Sequence, residues 1–169
     1  IAALFLLGLG AAPLHIGILS AFNHLQKASR LVGLRFMPYL GKTGLMFWGR
    51  IATLPFLLAL AFLALQGGAG PTAIWTALLF IGLKGMLYHG GNTAWWPLVQ
   101  DNTQDERLGG FLARMRLRQR LLEVLLPLGV GWYLGAQPQP ARFFLPFALA
   151  CIALVAGAVW VRHVDELPQ

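Results

Sequence analysis

A chain of 169 residues with 57% hydrophobic and only 11% charged residues has too little polar surface for a water-soluble domain. Its mean hydropathy of +0.65 points the same way. The net charge of +7 would raise the question of nucleic acid in a soluble protein, but these basic residues cluster at the ends of apolar stretches, as they do beside anionic lipid.

Residues 1–11 are apolar but too short to span, and lack an initiating Met and the basic flank of a signal peptide. They read as part of a first helix cut short. Ala11-Ala12-Pro13 then precedes a second segment, 16–37, that is unusually polar inside. The third, 47–65, ends at Gln66-Gly67-Gly68-Ala69-Gly70-Pro71, a run that cannot continue a helix cheaply. The fourth, 72–99, would be roughly 40 Å long at 1.5 Å per residue, longer than the ~30 Å hydrocarbon core, so it must tilt or protrude. The fifth, 109–135, starts amphipathic and turns apolar from Leu121 to Leu134, and the sixth, 143–161, is apolar almost throughout. Gln137-Pro138-Gln139-Pro140 separates these two, and a polar tail, 162–169, includes Arg162, Asp165 and Glu166. The expected architecture is all-α, a single polytopic transmembrane helix bundle.

Basic residues set the orientation, because Lys and Arg accumulate on the cytoplasmic side. Arg35, Lys42, Arg50, Arg107, Arg114, Arg116, Arg118, Arg120 and Arg162 flank the loops after the second, fourth and sixth segments, against Arg142 alone on the other side. The tail is therefore expected in the cytoplasm, and the chain in the inner membrane of the cell.

Ionisable groups inside spans are costly and mark cavities or pathways. In the second segment Asn23, Lys27 and Arg30 follow i, i+4, i+7 spacing with Gln26 alongside, so one helix face is polar. Lys27 falls roughly 16 Å inside from Ile16, near mid-bilayer. The fourth segment carries Lys84 at similar depth, then Tyr88, His89 and Asn92. The fifth carries Glu123, the only acidic residue inside any segment, with Arg120 a turn away. Two readings stand side by side. In one, these groups line an aqueous cavity whose cations attract an anionic group, with Glu123 offsetting or gating that charge. In the other, Lys27 and Lys84 snorkel, Arg30 reaches the headgroups, and Arg120 pairs with Glu123. A pair between Arg30 and Glu123 is a further expectation from their similar depths.

Trp48, Trp95 and Trp96 suit interfacial anchors. Pro55, Pro127 and Pro146 suit bends, and Gly129, Gly131 and Gly135 suit close helix packing. Enzymatic chemistry finds little support. Cys151 is alone, the histidines lack metal-binding spacing, and Gly41-Lys42-Thr43 lacks the upstream glycine of a phosphate loop. No catalytic residue, metal or cofactor is expected.

Together these features resemble the amino-terminal half of a major facilitator superfamily transporter. The likeness rests on six helices with both ends inside, on Leu40-Gly41-Lys42-Thr43-Gly44 after the second helix, and on Trp95-Trp96-Pro97-Leu98-Val99-Gln100-Asp101 followed by Glu106-Arg107-Leu108-Gly109-Gly110-Phe111. Pro38-Tyr39 stands where that family has Asp-Arg. The resemblance implies two inverted three-helix repeats here, a missing carboxy-terminal six-helix half, and alternating access for a small solute. It also implies ion coupling or uniport, with Glu123 as the proton-coupling candidate. The excess of cations favours an anionic solute, although a second half could neutralise it. A non-transporting membrane scaffold or assembly protein is the alternative.

Overall fold

A computed structural model describes residues 1–68, 70–103, 105–135 and 139–165, with side chains for all of these except 105–107. Gln137-Pro138, Ala69 and the tail from Glu166 lie outside the described residues, as do the side chains of Glu106 and Arg107. All regular structure among the described residues is helical: α1 (Ala2–Gly8), α2 (Pro13–Ala28), α3 (Arg30–Leu40), α4 (Lys42–Ile51), α5 (Leu54–Gln66), α6 (Pro71–Gly91), α7 (Trp95–Asp101), α8 (Asp105–Leu134) and α9 (Phe144–Val161). Short 3₁₀ turns at Asn92–Ala94 and Pro140–Phe143 lead into α7 and α9.

Local chemistry explains most of the boundaries. Pro13 and Pro71 open their helices, where a missing N–H costs nothing. Gly41 ends α3 at φ 73°, and Gly67 caps α5 at φ 60°, left-handed conformations that side chains resist. Ala52 and Thr53 separate α4 from α5 within the third apolar stretch, where Pro55 has no N–H to donate to the carbonyl four residues before it. Ser29 divides the second segment. Its hydroxyl lies 2.6 Å from the Gln26 carbonyl and 2.8 Å from that of Met86, so its single proton is shared between α2 and α6.

Among the described residues three segments are long and apolar enough to cross a membrane: Lys42–Gln66, Pro71–Asp101 and Pro140–Val161. The apolar stretches of the sequence predict five complete spans. The second is interrupted at Ser29 into helices of 16 and 11 residues. In α8 the apolar half begins among Arg118, Arg120 and Glu123. Between 22% and 33% of the three apolar windows is buried in the bundle, so most of their greasy surface faces outward.

Helix α5 packs on α9, α2 on α6, and α4 on both α6 and α9. At one end Phe5 and Leu6 of α1 are fully buried among Leu60 and Ala64 of α5, Leu78 of α6, and Phe143. Phe5 stacks edge-on against Phe147 with centroids 5.1 Å apart. At the other end Leu45, Met46, Ala94, Leu98 and Val161 form a second cluster.

In a bilayer such burial gains little, since acyl chains are as apolar as leucine, and close backbone approach matters more. Glycines supply it. A Cβ built at Gly91 of α6 would stand 2.6 Å from the Gly49 Cα of α4, and one at Gly33 of α3 only 2.1 Å from the Gly90 carbonyl oxygen. The packing role expected for Gly129 and Gly131 is not seen, because neither has an atom within 4 Å of a built Cβ. The reason is that most of α8 stands away from the bundle, although Phe111 near its start lines a cavity with α7 and α9. Leu128 is 64% and Trp132 90% exposed, and only Val130 and Leu134 near its end reach the first cluster.

Candidate functional site

Lys84 lies about 20 Å along the helix from Pro71 and about 25 Å from Asp101, deep within the longest span-length segment. It is half-buried, beside Cys151 of α9 and the amino end of α1. Among the described residues its ammonium makes no hydrogen bond or ion pair. A charged ammonium without a partner at that depth is costly.

One turn on, Tyr88 enters the wall of a cavity of about 580 Å³ between the α6–α7 segment and α9. Arg50 of α4 reaches the same cavity, within Coulombic range of Tyr88, and its Nη1 donates to the Gly157 carbonyl of α9. Trp95, Trp160 and Phe111 supply aromatic walls, and Leu98, Val99 and Leu154 aliphatic ones.

The expected polar face of α2 is split. Asn23, Lys27 and Arg30 are exposed on the open side, whereas Gln26 is 5% exposed and turned inward. The Gln26 amide donates to the Ile81 carbonyl at 3.2 Å, in space that the missing side chain of Gly85 leaves free. Lys27, Arg30 and Lys84 all lie within Coulombic reach of His89, whose Nδ1 is buried without a partner among the described residues. Asn92 is half-buried in the 3₁₀ turn, and the Thr93 hydroxyl lies 3.3 Å from the carbonyls of Arg30 and His89. Thus α2, α3 and α6 bring three cations and an imidazole to one region.

Glu123 does not join them. On α8 it accepts from Arg120 Nη1 and Gln119 Nε2, each at 2.9 Å, with both ends of the ion pair exposed. The expected pair with Arg30 is therefore absent, because α8 diverges from α2 and meets its charge partner within its own helix. Trp96 and Trp48 are 44% and 56% exposed, while Trp95 is half-buried against the second cluster.

Two features escaped the sequence reading. Arg50 was counted as a loop-flanking charge, although its place inside the segment drawn from 47 to 65 already set it among apolar residues. The ion pair of Lys42 with Asp101 joins residues far apart in the chain, and no local pattern announces it. Among the described residues no group of three His, Cys, Asp or Glu is placed to hold a metal ion. No family model matches the chain, and no curated protein or solved structure matches it either.

Proposed function

We propose that this chain is the membrane-embedded unit of a secondary solute carrier that works by alternating access on the plan of the major facilitator superfamily, with its tail in the cytoplasm. The observation that carries the reading is Lys84. A lysine without a hydrogen-bond or ion-pair partner among the described residues, deep in a span-length helix, is costly in its charged form unless its surroundings admit water or a charged solute. Arg50 is a second cation inside a span-length helix, with its Nη1 held by the Gly157 carbonyl. Glycine contacts that let α3 and α4 approach α6 closely support a bundle able to move as a unit. In this reading Lys27, Arg30, Lys84, Tyr88 and Asn92 face the solute path, Gln26 braces it, and the solute is a small anion. The inverted repeats and the rocking of this half against a second one rest on the sequence resemblance.

Proteoliposomes holding the protein and loaded with labelled carboxylates, phosphates or sugars test the reading. It expects saturable flux of one class that Lys84→Gln lowers at least about tenfold with the fold intact, a loss of the size that removing a charge-assisted contact gives. No flux above empty vesicles for any class would leave the scaffold reading in its place.

A further inference from the structure

We propose that the cavity between α6, α7 and α9 is a binding site for a small organic anion with an apolar body, an aromatic or branched aliphatic carboxylate gripped by Arg50. The proposal deepens the transport reading by naming the solute's chemistry, but binding at this cavity can be measured without transport.

Arg50 cannot shed its proton at any physiological pH, and it sits about 12 Å along the helix from Lys42 inside a span-length segment. Its guanidinium carries five donors. Only Nη1 has a partner among the described residues, the Gly157 carbonyl. A Cβ at Gly157 would lie 3.3 Å from Nη1, so the guanidinium packs closely on the α9 backbone. Backbone geometry on α9 thus anchors one corner of the fork and leaves the Nε–Nη2 edge open, the edge that meets a carboxylate side-on.

The rest of the cavity defines the body of the ligand. Tyr88 adds a hydroxyl close to Arg50, while Trp95, Trp160 and Phe111 present ring surface. Its volume of about 580 Å³ falls within the ~300–1,000 Å³ of small-molecule sites. One cation suits a monoanion better than a dianion such as free phosphate. The mostly apolar walls offer too few partners for a sugar's hydroxyls, each of which would be costly to bury unpaired.

The cavity carries its own reporters in Trp95 and Trp160. The full chain in zwitterionic nanodiscs is titrated with 4-nitrobenzoate, a quencher of tryptophan emission, and with its neutral methyl ester. Saturable quenching by the acid is expected, with affinity at least about tenfold above the ester's and falling about tenfold in Arg50→Lys, which keeps the charge but loses the fork. Trp160→Phe should reduce the quenching amplitude, whereas Trp132→Phe, at an exposed position of α8 outside the cavity, should leave the affinity in place. Equal affinity for acid and ester, or affinity unchanged in both Arg50→Lys and Arg50→Gln, overturns the proposal. So does loss of quenching on adding phosphatidylglycerol without competition by benzoate, which would assign the site to lipid. Absent transport with intact binding would overturn only the carrier reading.

Discussion

Lys42 at the start of α4 and Asp101 at the end of α7 stand 2.6 Å apart, Nζ to Oδ2, with side chains only 13% and 14% exposed. The pair closes one end of the bundle where Asn102 also donates to the Asp165 carbonyl at 2.7 Å and Arg162 lies over the Phe47 ring. Losing one member of a largely buried ion pair costs about 3–5 kcal/mol when burial is complete, and slight exposure lowers that to roughly 2–3. Asp101→Ala should therefore cut thermal stability in detergent sharply, and the exchange Lys42→Asp with Asp101→Lys should recover part of it. An unchanged unfolding temperature in Asp101→Ala would show that the clamp contributes nothing.

Glycine positions separate by the same measurement. Gly49→Ala places a methyl 2.5 Å from the Gly91 Cα, so α4 and α6 must part, at about 1–3 kcal/mol. Gly129→Ala meets nothing within 4 Å, and alanine's helix propensity should stabilise α8 by up to about 1 kcal/mol. Equal losses in both variants would contradict the placement of α8 away from the bundle.

Gly85 and Gln26 should behave as a coupled pair. A Cβ at Gly85 would fall 2.0 Å from the Gln26 Cδ, so Gly85→Ala expels the amide from its buried site. Gln26→Ala makes room for that methyl, and the double variant should be more stable than Gly85→Ala alone by about 1 kcal/mol or more. Strict additivity in the double-mutant cycle would mean that the two do not touch.

Glu123 should prove mild. Its ion pair with Arg120 is exposed on both sides, and such i,i+3 pairs contribute at most about 1 kcal/mol. Glu123→Gln should leave stability nearly unchanged, and a charge exchange between Arg30 and Glu123 should show no mutual rescue. Rescue would place α8 against α2.

Much of the segmentation was legible because apolar length and the punctuation at Gly41, Gly67 and Pro71 are local properties. The break at Ser29 was not, since its hydroxyl is shared with the Met86 carbonyl of a helix far away in sequence. Helical spacing grouped Gln26 with Lys27, yet neighbours on a helix point about 100° apart, and the gap at Gly85 decided which of them turned inward. Arg50 hid behind the assumption that a basic residue near a loop belongs to it. Nothing in the composition of residues 109–135 indicated that α8 would leave the bundle.

The central claim is that Lys84 looks into a water-filled hollow between helices rather than into acyl chains. With Cys151→Ser as background, cysteines placed at Lys84 and at Leu79, an exposed position on the outer side of α6, are exposed to a charged, membrane-impermeant thiol reagent in intact vesicles. The account predicts rapid modification at 84 and almost none at 79. Slow, equal labelling at both positions would contradict it.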